Sequence, residues 1–362
     1  MNSLSSLNFP VIRGVQAGRE YYVAMWTLRM LRQISVFDEK ELPPELRAQR
    51  VLNKARLPEM TDYIVDNPDD YIFSALTASI DSEVVFDPIS TEPGERLGIL
   101  KVPMEAKFII NDGQHRRAAI IDALDQKPAL EAETIAVVFF LDIGRERCQQ
   151  MFADLNRYAI RPSRSLGLLY DHRNDKAKLA KLVILKSDVF RDLVDMEKTS
   201  LAPRARKLFT LSAFFNASAD LVQGIATGNV EEDAQFVRIF WEEVAKHFPA
   251  WGQVREGRLA ASEIREGFIY SHGIALQAMG RAGNALLLES GDNWKRRLAA
   301  LETINWARSN SKTWEGRAMI GGIVSKVKSN VILTGNVIKQ ALGLTFTAEE
   351  QRLEDAFTSR SE

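Results

Sequence analysis

Asp112-Gly113-Gln114-His115-Arg116, followed directly by Arg117, brings a carboxylate, an imidazole and two guanidinium groups into six consecutive residues. The apolar run Lys107–Asn111 precedes it, and the Ala/Ile-rich stretch from Ala118 to Ile121 follows. This pattern predicts strand, tight turn, helix. Such a turn directs the unpaired N–H groups of the helix start, its positive dipole end and the side chains of His115, Arg116 and Arg117 toward one small volume, which suits a phosphate. Gly113 allows close backbone approach, Arg116 is expected to grip phosphate oxygens bidentately, and His115 to donate a further hydrogen bond or a proton. Asp112 and Gln114 join the candidate site by position. A plainer reading makes this a polar turn with Asp112 capping the helix, but that reading gives no reason for the His-Arg-Arg run. Arg117 is also compatible with the outer face of the helix.

A second polar segment, Phe152-Ala153-Asp154-Leu155-Asn156-Arg157, leads into Arg161-Pro162-Ser163-Arg164-Ser165-Leu166. Cys148, Met151, Phe152 and Leu155 recur at i, i+3, i+4, i+7, so a helix is expected there, with Asn156 placed to cap its end. With these two segments the chain resembles the DGQHR-domain family and, within it, the DndB group of regulators of bacterial DNA phosphorothioate modification. The order and spacing of the two segments fit, and the likeness runs over roughly residues 8–175. Overall length and a helical C-terminal half are also similar. More distantly, the first motif is similar to the phosphate-binding turns of ParB-type nucleotide switches and of sulfiredoxin, although Gln114 stands where sulfiredoxin has its catalytic cysteine.

The resemblance implies a DNA-binding regulator that represses the modification genes and carries a nucleotide-responsive, ParB-like domain. It implies a nucleoside triphosphate with Mg2+ as ligand, and double-stranded promoter DNA and other phosphorothioation proteins as partners. A homo-oligomer is expected. By likeness to ParB-type switches, Asn156 and Arg157, with Asp154, join the nucleotide site, and Arg161 and Arg164 add positive charge. The alternative is an enzyme, an NTPase or nuclease of the same system, using the turn catalytically. Only Asp112 and Asp154 are available as carboxylates for metal-assisted hydrolysis, which favours binding and switching.

The chain has 362 residues, 46% of them hydrophobic and 26% charged, with a net charge of −1, so it is long enough for two domains. A near-neutral chain confines any nucleic-acid contact to a local patch. The single cysteine, Cys148, excludes an intramolecular disulfide and fits a reducing cytosol. The start lacks the basic and apolar regions of a signal peptide, and the longest apolar run, Ile135–Leu141, is too short to span a bilayer, so a cytoplasmic, non-membrane protein is expected. There is no Walker or Gly-x-Ser-x-Gly motif, and the histidines lack partners at metal-ligand spacing.

Strand-like runs at Tyr21–Met25, Tyr71–Ile80, Leu97–Val102, Lys107–Asn111 and Thr134–Leu141 alternate with turn-rich stretches, and helical patches lie at Pro44–Asp66 and His115–Leu124. Lys107–Leu141 reads as a β-α-β unit with the turn at the carboxyl end of its first strand. Beyond residue 145 the pattern is helical, as in the stripe Phe236, Phe240, Val244, Phe248. The expected architecture is an α/β, ParB-like domain with a mixed sheet over residues 1–175 and a mainly helical domain over 176–362.

Candidate DNA contacts are the basic runs Arg204-Ala205-Arg206-Lys207 and Lys295-Arg296-Arg297, with Lys326 and Lys328 as a further pair. Gly335–Leu344 has the rhythm of a helix-turn-helix, but the next helix opens with a Thr347–Glu350 capping box and carries four acidic residues against the lone Arg352. That charge repels phosphate, so a plain helical hairpin is expected.

Overall fold

The computed structural model describes residues 6–33, 54–92, 95–141, 155 and 162–361. The chain forms two compact units, Met1–Ile160 and Arg161–Glu362. The helix Arg164–Tyr170, which the sequence reading grouped with the first domain, therefore belongs to the second unit.

The first unit is built on seven strands: β1 (Ser6–Gln16), β2 (Arg19–Thr27), β3 (Leu76–Ile80), β4 (Val85–Pro88), β5 (Leu97–Pro103), β6 (Phe108–Asp112) and β7 (Thr134–Leu141). They form one mixed sheet in the order β4-β5-β1-β2-β7-β3-β6. β3 and β7 are parallel and every other pairing is antiparallel. β2 shows why one face is buried: Tyr22, Ala24 and Trp26 alternate with more exposed neighbours, the period-two pattern of a half-covered strand. Two helices pack together and contribute to the same core, α1 (Leu57–Asp66) through Ile64 and α2 (Gln114–Gln126) through Ala119, Ile120, Ala123 and Leu124. Phe9, Trp26, Phe108 and Phe139 form an aromatic cluster in this core, with ring centroids 5.2–6.3 Å apart.

The stretch Lys107–Leu141 does form strand, helix, strand, but not a parallel crossover. β3 lies between β6 and β7, antiparallel to the first and parallel to the second, so β6 and β7 run in opposite directions. All five residues of β3, Leu-Thr-Ala-Ser-Ile, are buried, which suits an interior strand. The antiparallel β3–β6 pairing sets Thr77 opposite Asp112, bringing the chain just before β3 beside the turn just after β6.

The second unit is mainly helical: α3 (Arg164–Tyr170), α4 (Asp175–Lys186), α5 (Leu211–Leu221), α6 (Val230–Ala245), α7 (Pro249–Arg255), α8 (Ala261–Gly267), α9 (Gly273–Ser290), α10 (Lys328–Ala341) and α11 (Ala348–Ser361). Its starts follow the sequence: Ser163, Asn174, Thr210 and Asn229 each accept a backbone N–H of the helix they cap. α9 packs on both α5 and α10. Phe240 and Val244 of the predicted stripe are buried, as is Phe248 just beyond α6, while Phe236 is exposed.

α10 and α11 form the expected hairpin. Thr347 N donates to Glu350 Oε2 over 2.8 Å and Glu350 N to Thr347 Oγ1 over 3.3 Å, a reciprocal capping box. Two of the acidic residues of α11 are inside the hairpin: Glu350 pairs with Lys339 at 2.7 Å and Glu354 with Arg317 at 2.5 Å. Burial alone raises a carboxyl pKa, but bonds from Lys339 and Thr347 outweigh it and hold Glu350 low.

Candidate functional site

β6 ends in an irregularity. The β3–β6 register shifts between Thr77 and Ala78, and Asn111 donates to Ser79 Oγ over 2.5 Å from a buried position. A bulge of this kind re-aims the chain that follows it. Gly113 then takes φ +98°, a left-handed conformation that L side chains rarely adopt, and among the described residues no side chain caps the start of α2. A Cβ at Gly113 would lie 2.4 Å from Leu76 Cδ2 and 3.3 Å from Arg116 Cζ and Nε. Glycine is thus needed both for the turn and for the close packing of Leu76 and Arg116 against it.

Arg116 is fixed from several sides. Its Nη1 donates to the carbonyls of Ser74 (2.7 Å) and Ala75 (2.8 Å) and to the Ser74 hydroxyl, and its Nη2 donates to Asp112 Oδ2 at 2.5 Å. Its side chain is only 15% exposed, against 43% for Asp112. Gln114 Nε2 donates back to the Ile110 carbonyl over 2.7 Å, closing the turn on the strand that leads into it. His115 is half-buried at the same helix start. The first five residues of the predicted site are therefore together, with Arg116 acting at once as a strut between β3 and α2 and as the cation of the turn.

Arg117 is committed elsewhere. Its Nη2 donates to the Leu31 carbonyl over 3.0 Å, its Nε is buried without a hydrogen-bond partner among the described residues, and burial lowers its pKa. Arg32 answers from the facing turn, donating to the Ile121 carbonyl (3.1 Å) and pairing with Asp125 at 2.5 Å. Arg117 therefore sits on neither the outer face nor the phosphate group predicted for it; it joins α2 to the segment after β2.

Asp154, Asn156 and Arg157 lie outside the described residues, as do Cys148 and Arg161. Arg164 opens α3 in the second unit, where its Nη2 donates to Asn216 Oδ1 over 3.0 Å. Of the predicted DNA contacts, Arg204, Arg206 and Arg296 are exposed. Lys207 donates to the Asp192 carbonyl (2.6 Å). Arg297, named as a DNA-contact candidate, closes the end of α10, donating to the carbonyls of Leu342 (2.6 Å) and Gly343 (3.1 Å) and to Ser290 Oγ (2.5 Å), so its guanidinium is engaged within the protein. Sequence reasoning missed Ser74 and Ala75, which contribute mostly backbone oxygen; only the strand pairing reveals them.

No curated protein and no solved structure gives a significant match to the chain. A family model does match, over residues 9–345: DndB, described as DNA-sulfur modification-associated. With nearly its whole length covered, the chain belongs to the DndB family.

Proposed function

We propose that this protein is a DNA-binding regulator of a DNA sulfur-modification gene cluster, and that the Asp112–Arg116 turn is its phosphate sensor. The observation that carries this reading is the start of a 13-residue helix behind a left-handed glycine, capped by no side chain among the described residues, with a pre-positioned guanidinium beside it. A phosphate arriving there meets first-turn N–H groups, the positive end of the helix dipole and Arg116, whose bond to Asp112 it can displace. Because the Ser74 and Ala75 carbonyls keep hold of Nη1, the guanidinium stays oriented while Nη2 changes partner. The ligand is a nucleoside triphosphate with Mg2+. The partners are double-stranded promoter DNA and other proteins of the modification system, and the setting is the cytoplasm, with the chain as a homo-oligomer.

Switching is favoured over hydrolysis because Asp112, the carboxylate at the turn, is bonded to Arg116 and not free to position a metal pair or a base. The test is to titrate purified full-length protein with ATP, CTP and GTP, with and without Mg2+ and promoter duplex, reading binding and phosphate release. Binding of one nucleotide that changes DNA affinity, reproduced by its non-hydrolysable analogue, supports the sensor. An effect confined to hydrolysable nucleotide replaces it with the enzyme.

A further inference from the structure

The helical unit holds a cavity of about 510 Å³ whose lining gathers positive charge from distant parts of the sequence. Arg164 opens α3, Arg265 is on α8, Arg308 follows in a loop and Lys326 precedes α10; Glu266 is the acidic residue in the lining. His272 and Gly273 add the start of the 18-residue α9, which no side chain caps. Lys326 Nζ lies 3.8 Å from the point a Cβ at Gly273 would occupy, so the ammonium is at the mouth of that helix.

Three observations show donor capacity left over on Lys326, Arg265 and Arg308. Lys326 makes no hydrogen bond or ion pair among the described residues. Its side chain is exposed overall, yet desolvation by the cavity wall and the neighbouring Arg164 lower its pKa, with Asp220 opposing, so two like charges are held together with little to neutralise them. Arg265 is 91% buried by its 9% exposure. It spends Nε on the Ala261 carbonyl and Nη2 on the carbonyls of Pro203 and Ala205, while Nη1 has no acceptor among the described residues. Arg308 Nε is buried with no partner among the described residues, although its Nη atoms reach the carbonyls of Arg265 and Gly322. Clustered, desolvated cations of this kind cost stability unless an anion completes them.

The rest of the lining fits an organic phosphate better than a bare ion. Leu201, Phe209 and Val324 supply apolar wall, and Thr210, Ser212 and Asn216 supply polar groups. The volume is that of a nucleotide-sized ligand site. A concave, open-mouthed site also suits a compact phosphate monoester or polyphosphate, carrying about two charges per terminal phosphate, better than the convex, singly charged backbone of duplex DNA.

We propose that this cavity binds a phosphorylated small molecule of nucleotide size, with its phosphate between Arg164, Lys326 and the start of α9. This is a second anion site, separate in sequence and structural unit from the Asp112–Arg116 turn and independent of the function proposed for it.

The test uses the full chain with three probes: pyrophosphate, ATP and a short DNA duplex. Binding is measured by calorimetry on wild type, Lys326→Ala and, as a marker of the other site, His115→Ala. Lys326→Ala removes an exposed side chain with no hydrogen bond, so the fold is expected to persist, which circular dichroism checks. The expected result is that pyrophosphate or ATP binds wild type and loses about tenfold or more in affinity in Lys326→Ala, with His115→Ala retaining a Lys326-dependent site. Equal affinity in wild type and Lys326→Ala overturns the proposal, and so does the absence of binding of both small anions to wild type. A Lys326→Ala loss seen with the duplex alone overturns it in favour of a DNA-backbone contact.

Discussion

Arg116 Nη2 and Asp112 Oδ2 meet at 2.5 Å across the left-handed Gly113, one turn apart on the strand-to-helix corner. The pair joins the last residue of β6 to the first turn of α2, and the same guanidinium reaches the chain entering β3. The architecture of the corner and the anion recognition proposed for it thus rest on one side chain.

Replacing either member of the pair therefore has different consequences. Arg116→Ala leaves the Ser74 and Ala75 carbonyls without their donor, and a loss of roughly 2–4 kcal/mol in unfolding free energy is expected, together with loss of nucleotide binding. Asp112→Asn removes the competing carboxylate while the strut to β3 remains. It should cost about 1 kcal/mol or less in stability, because Asp112 is half-exposed. It should tighten phosphate binding by about tenfold. Urea unfolding and nucleotide titration of both variants check this; weaker nucleotide binding in a folded Asp112→Asn protein would favour a direct role for the carboxylate.

Gly113→Ala meets two obstacles at once, φ +98° and a Cβ 2.4 Å from Leu76 Cδ2. A destabilisation on the order of 2–4 kcal/mol is expected, more than the usual cost of losing a flexible glycine in an open turn. Gly228→Ala is a control for φ alone: φ is +88°, with nothing within 4 Å of the added Cβ. Equal unfolding midpoints for the two variants would show that the Leu76 contact is unimportant.

The turn was legible because its signals are local. Gly113 had to supply an unusual φ angle, and an apolar run led into a helical one. The interior position of β3 between β6 and β7 was not legible, since nothing in Lys107–Leu141 reveals that another strand takes the neighbouring slot. β1 was missed for a related reason. Pro10 and Gly14 argue against a strand, yet Pro10 pairs with β5 just outside the Val11–Gln16 stretch that pairs with β2, and the Tyr21 ring packs over Gly14. Arg117 read as a phosphate-site candidate and Arg297 as a DNA-contact candidate because their acceptors, the carbonyls of Leu31, Leu342 and Gly343, carry no side-chain signature. The cations of the helical cavity are spread from Arg164 to Lys326, and only folding brings them together.

His272 makes the helical unit sensitive to acid. Burial pushes its pKa down to about 4; a hydrogen bond to the Arg265 carbonyl opposes this, and the charges of Arg308 and Arg265 add to it. The contact at 2.7 Å is to a carbonyl, so Nε2 carries the proton and donates. Unfolded, the ring titrates at about 6.5. Between those values the unfolded chain binds more protons, so stability is complete above about pH 6.5 and falls as the pH drops toward 4. The loss is on the order of 2–3 kcal/mol. His272→Gln, which cannot titrate, should show a flatter stability curve over this window, measured by urea unfolding at pH 7 and pH 4.5. Parallel curves for the two proteins would assign the acid response to other groups.

The DNA contact proposed for this chain, whose net charge is −1, requires a local basic face. With Arg297 and Lys207 bonded to the protein itself, Arg204 and Arg206 form one candidate and Arg296 the other. The first pair is on a loop whose backbone is anchored by Arg265, through the Pro203 and Ala205 carbonyls, so its two guanidinium groups extend from a fixed base. Each phosphate neutralised contributes about 0.9 to the slope of log affinity against log salt on duplex DNA. If the loop is the contact, Arg204→Glu with Arg206→Glu should weaken promoter binding at every salt concentration and reduce the slope by roughly 2, whereas Arg296→Glu leaves it unchanged. The reverse result moves the interface to the segment before α10. An unchanged slope in both variants places DNA binding on residues outside these two runs, because no protein can release counterions through side chains that do not touch phosphate.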